Sequence, residues 1–146
     1  MSISIDLPGV DEQRMLLLQR DAEDGCNQLR ANLNAPRYAA APGIDAAAYG
    51  DKHLRTLDEG WEPPAAALIS AWFAHFQRCF PEYASENKLA ALLGLSGTNG
   101  GRRIRAYASG DEKIPYGLWR RFLVLTGRAS QEIIPVMGIF DIGETE

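Results

Sequence analysis

Apolar residues recur every three or four positions along most of this chain, and beyond residues 1–10 no stretch alternates with the period of two that marks a strand. After a short extended start, "DEQRMLLLQRDAEDGCNQLRANL" (11–33) lines up Met15, Leu18, Ala22, Cys26, Leu29 and Leu33 in one helical stripe. Asp11 and Glu12 suit the positive end of its dipole, and Gly25 weakens the helix without forbidding it. The prolines and glycine of "NAPRYAAAPG" (34–43) then predict a loop. From a capping Asp45, a helix is predicted over 45–59, with Tyr49, His53 or Leu54, and Leu57 on one side, ended by Gly60 and "EPP".

Pro63 and Pro64 suit the first turn of "PPAAALISAWFAHFQRCF". In it Leu68, Ile69, Trp72, Phe73, Phe76, Cys79 and Phe80 form a face broad enough to require burial. Ser85 can cap the next helix, whose core side is Leu89, Leu92 and Leu93 up to Gly94. "GRRIRAYASG" predicts a short basic helix with Ile104 and Tyr107 inward and Gly110 as its stop. Pro115 opens "PYGLWRRFLVLTG" (115–127), with Leu118, Trp119, Phe122 and Leu125 facing in. A last short element, "SQEIIPVMGIF", starts at Ser130 and is disturbed by Pro135.

With 146 residues, 46% of them hydrophobic, the chain fits one globular domain with an extension. Its net charge of −4 argues against a nucleic-acid partner until it is divided along the sequence. Residues 98–128 hold 7 basic and 2 acidic groups, whereas 1–80 hold 7 and 11, and 129–146 hold 4 acids and no base. All the excess positive charge thus lies in one window. The two cysteines, Cys26 and Cys79, form no CxxC pattern, and "MSISIDLPGV" has no basic start or long apolar run, so a reduced, cytoplasmic protein is expected. No run approaches the roughly 18 apolar residues of a membrane span, so no membrane partner is expected.

Gly94, Gly97, Gly100 and Gly101 suggest a phosphate loop, but a leucine and alanine helix precedes them and no Lys-Ser/Thr follows. His75 and Cys79 lie four apart, which supplies two ligands and not a metal site. With no nucleophile elbow, HExxH or paired Cys/His arrangement, no enzyme, cofactor or metal is expected.

What remains is two short helices around a turn, the second one basic. A helix-turn-helix has this form, with the second helix presenting side chains to base edges in the major groove. "KLAALLGLS … RRIRAYASGDEKIPYGLWRRFLVLTG" resembles the lambda repressor/Cro-like (XRE) helix-turn-helix superfamily, in forms found in phage and mobile-element regulators. Leu89, Ala90, Leu93, Gly94, Leu95 and Ser96 match its first helix and turn, and Ile104, Tyr107 and Gly110 its second helix. The sequence departs from the family in "GTNG" (97–100), a four-residue insertion in the turn, and in Ala108, where an acidic residue is common.

The resemblance implies an all-α protein: a five-helix lambda repressor-like helix-turn-helix domain (63–140) preceded by an N-terminal helical extension (1–62) and followed by an acidic tail (141–146). It implies a sequence-specific double-stranded DNA-binding protein, a repressor-like transcriptional regulator acting as a homodimer, with 11–33 and 45–59 as candidates for dimerisation or partner docking. Gly97, Gly100 and Gly101 are expected to give a flexible turn open to phosphate, with Ser96, Thr98 and Asn99 as short polar groups. Arg102, Arg103 and Arg105 are the candidates for bidentate contact with guanine or phosphate. Lys113, Arg120, Arg121 and Arg128 are candidates for positioning on the backbone. The alternative is an interaction or antitoxin-like accessory module of a mobile element that does not bind DNA.

Overall fold

In the computed structural model, which describes residues 9–143, the chain is all-α, with five α-helices and no strand among the described residues. It divides into two units, one of residues 40–134 and one of residues 1–39 with 135–146. The predicted start before Gly9 and the last three residues of the acidic tail lie outside the described residues.

Helix α1 (Val10–Asn32) forms where the stripe predicts it, with Asp11 and Glu12 in its first turn, yet it buries no residue. Met15, Leu16, Leu17, Leu18 and Leu29 are all exposed. The helix predicted over 45–59 is instead two separate 3-10 turns, Ala46–Tyr49 and Lys52–Leu54. Gly50 between them has φ 74° and ψ −168°, a conformation no helix accepts. Tyr49 and Leu57 are exposed, while His53 alone of the expected stripe is buried.

Helix α2 (Ala66–Cys79) buries Leu68, Ile69, Trp72, Phe73 and Phe76, the face its spacing predicts, with Cys79 and Phe80 half-buried at its edge. Its first helical residue is Ala66, so Pro63 and Pro64 lie ahead of the helix rather than in its first turn. A residue followed by proline is pushed to extended backbone, which keeps Glu62 and Pro63 out of the helix, and Ala65, extended at ψ 145°, is its N-cap. Helix α3 (Glu86–Leu92) is capped as expected, the Ser85 Oγ accepting from the Lys88 N–H at 3.2 Å.

Helices α4 (Gly100–Ser109) and α5 (Tyr116–Leu125) complete the unit. In α5 the inward residues are Trp119, Phe122 and Leu123, whereas Leu125 is 44% exposed, contrary to expectation. Leu125 lies six residues from Trp119, about 240° around the helix, while Leu123 lies four away on Trp119's own side. The fifth helix predicted for this domain does not form: residues 130–140 are irregular and exposed, and Pro135 interrupts the helical pattern there.

The core is built around aromatic rings. Trp72 and Trp119 stack at 5.7 Å with 7° between their planes, and Phe73 meets Phe122 edge-on at 4.8 Å. His53 completes the cluster from the 3-10 segment. Its Nδ1 accepts the Trp119 indole N–H at 3.3 Å, and its carbonyl accepts that of Trp61 at 3.1 Å. Burial lowers the His53 pKa below the usual histidine value, outweighing the opposing effects of the Gly50 backbone and Asp51.

Candidate nucleic-acid interface

The seven residues of α3 end in a glycine stop that re-aims the chain towards α4. Gly94 has φ 92°, its N–H reaches the Ala91 carbonyl at 3.1 Å, and the Leu95 N–H reaches that of Ala90 at 2.8 Å. This pair of bonds is a Schellman stop, and it drops Leu95 into the core. Ser96, Gly97, Thr98 and Asn99 then form an exposed connection.

The expected flexible turn is shorter than the glycines suggest. Gly100 and Gly101 are the first residues of α4, and both are buried. A Cβ added at Gly100 would lie 2.8 Å from the Cβ of Ala90, and one at Gly101 only 2.5 Å from Asn87 Oδ1. These glycines are needed for close approach, not for flexibility. The Gly101 N–H donates to Asn87 Oδ1 at 3.0 Å, so a side chain of α3 satisfies one of the open donors at the α4 N-terminus.

With Ile104 and Tyr107 buried against the core, the 100° step of a helix turns Arg102, Ala106 and Ser109 outward and leaves Arg103 and Arg105 on the flanks. Arg102 is exposed and has no hydrogen-bond or ion-pair partner among the described residues. Arg103 donates to the Tyr107 hydroxyl at 3.1 Å. Arg105 forms an ion pair with Glu86 at the start of α3. The outward ridge is thus one arginine without a partner among the described residues, followed by a half-buried alanine and an exposed serine, both with small side chains.

The four remaining basic candidates are spread differently. Lys113 is exposed in the connection to α5. Arg121 donates through Nε to the Leu92 carbonyl at 2.7 Å, closing the end of α3. Arg120 donates to the carbonyls of Leu54 at 3.1 Å and Ser130 at 2.6 Å. Arg128 lies half-buried with its guanidinium 3.9 Å over the Trp72 ring, and burial lowers its pKa, although an arginine stays charged. The structure therefore brings Arg102, Arg103 and Arg105 together on α4, and holds Arg120 and Arg128 against the domain's own backbone and rings.

Asn87 and Glu86 are site residues that sequence reading missed. Their partners lie 14 and 19 positions away, and no spacing rule announces either contact. Two shallow open grooves flank α4, of about 400 and 340 Å³, and both include Gln77, Glu86 and Arg105. His75 and Cys79 approach to 3.6 Å, but no cluster of three or more metal-ligating side chains exists among the described residues. No helix there is long and apolar enough to cross a membrane. No family model, curated protein or solved structure matches this chain.

Proposed function

We propose that this protein binds double-stranded DNA sequence-specifically, with α4 in the major groove, and that it acts as a transcriptional regulator of the repressor type. The observation that carries the reading is the outward ridge of α4, where unpartnered Arg102 stands beside Ala106 and Ser109 and is flanked by Arg103 and Arg105. A guanidinium offers a rigid fork of donors that fits the N7 and O6 of guanine or two phosphate oxygens. The exposed polar residues Ser96, Thr98 and Asn99, together with Lys113 and Arg121, supply phosphate contacts on either side. Binding as a homodimer would place two copies of α4 on half-sites of one operator. Helix α1, which buries no residue, offers a surface for that self-association.

The test is selection of bound duplexes from a random double-stranded library at about 150 mM salt, where purely electrostatic binding is weak. The reading predicts an enriched motif, palindromic if the protein is a dimer. A folded protein that enriches nothing would refute it.

A second reading, an interaction module without DNA binding, draws on a different observation. Arg120 and Arg128 serve the domain's interior, and Ile133, Ile134, Val136, Met137, Ile139, Phe140 and Ile142 are all exposed in the C-terminal segment. A failed selection together with capture of a protein partner through that segment would favour it.

A further inference from the structure

Three ion pairs join described side chains, and two of them are local to the segment before α2: Lys52 with Glu62, and Arg55 with Asp51. The third, Arg105 with Glu86, links α4 to α3 across 19 positions. Both side chains remain accessible, at 62% and 40%, so water competes for the bond and it adds little to folding. Its placement on the flank of the arginine-bearing helix calls for another account.

We infer that Glu86 is a specificity-determining residue, which turns Arg105 from a phosphate binder into a base reader; this rests on the reading of α4 as the DNA-contacting helix. A paired Arg105 is neutral as a unit, so it draws no phosphate towards itself. A phosphate entering beside it meets the Glu86 carboxylate and is repelled. A guanine edge carries no net charge and feels that repulsion less, while a guanidinium has five N–H donors, more than one carboxylate occupies. Glu86 thus weakens a phosphate contact at this flank more than a base contact. The effect falls on non-specific DNA, whose binding is almost wholly electrostatic.

The experiment uses the full chain and two duplexes, the sequence enriched by selection and a scrambled one of equal length, with affinity measured over a range of salt. Glu86→Gln keeps the size of the side chain and removes its charge. It is expected to tighten binding to the scrambled duplex by roughly threefold to tenfold, and to steepen the log-log salt slope by about 0.9, one further phosphate contact. Affinity for the selected site is expected to change less, so that discrimination falls. Glu112→Gln removes an equal charge from the connection after α4, outside the pair, and should produce a smaller change on the scrambled duplex. Equal effects of the two variants, or no tightening by Glu86→Gln, would overturn the inference while leaving DNA binding intact. A wild-type protein that binds neither duplex would remove the functional reading and this inference with it.

Discussion

Gly100→Ala separates two opposite expectations for a helical glycine. In an open helix, replacing glycine by alanine is favourable by up to ~1 kcal/mol, because alanine loses less backbone entropy. At Gly100, however, the new Cβ would stand 2.8 Å from the Cβ of Ala90, well inside ordinary contact. Neither atom is the far end of a flexible side chain, so α3 and α4 would have to move apart by about 1 Å to restore van der Waals separation. Overpacking of this kind costs about 1–3 kcal/mol, and the cost exceeds the helix gain. The net expectation is a loss of up to about 2 kcal/mol, seen as a fall of up to roughly 15 °C in Tm for a unit of this size. Thermal unfolding followed by tryptophan fluorescence reports on this unit, since Trp72 and Trp119 sit in its core. Ala90→Gly should restore the space, so the double variant should be less destabilised than the two single losses added together. A Gly100→Ala protein as stable as wild type, or more so, would refute the close packing of α3 on α4.

Ser85→Ala should cost about 1 kcal/mol in urea unfolding by removing the cap on the Lys88 N–H, and Ser85→Asp should retain most of the stability. Because His53 has a lowered pKa when folded, the unfolded chain takes up its proton first; stability should be unaffected well above pH 6.5 and be lost as pH falls from there towards the folded value. The loss is at most ~1.4 kcal/mol per pH unit, and urea midpoints for wild type and His53→Gln should lose their difference in pH slope if the histidine is not responsible. Arg128→Ala should lose about 0.5–2 kcal/mol of stacking over Trp72, with Arg128→Lys recovering only part, measured by denaturation at fixed salt.

The features that sequence periodicity revealed are those decided within one helix. The broad face of α2, the Ser85 cap and the Gly110 stop at φ 87° depend on neighbours a few positions away. His53 was ambiguous because its burial is decided by Trp72 and Trp119, contributed from two later helices. The roles of Arg120 and Arg128 were hidden for the same reason: a carbonyl or an indole face becomes a partner only once the chain has folded. At Gly100 and Gly101 the sequence predicts flexibility because glycine signals a loop and close packing equally, and only the distance to Ala90 and Asn87 distinguishes them. The arginines of α4 were legible because Ile104 and Tyr107, three apart, fix which side of that helix is inward.

Whether α4 holds DNA through Arg102 is decided by the salt dependence of binding to a selected duplex, with wild type and Arg102→Ala compared. Groove binding by α4 predicts a log-log slope of about −4 for wild type, from four to five phosphate contacts at roughly 0.9 each. It also predicts a loss of tenfold or more in affinity for Arg102→Ala, with weaker discrimination between duplexes. An unchanged affinity and unchanged discrimination in a folded Arg102→Ala protein would contradict it.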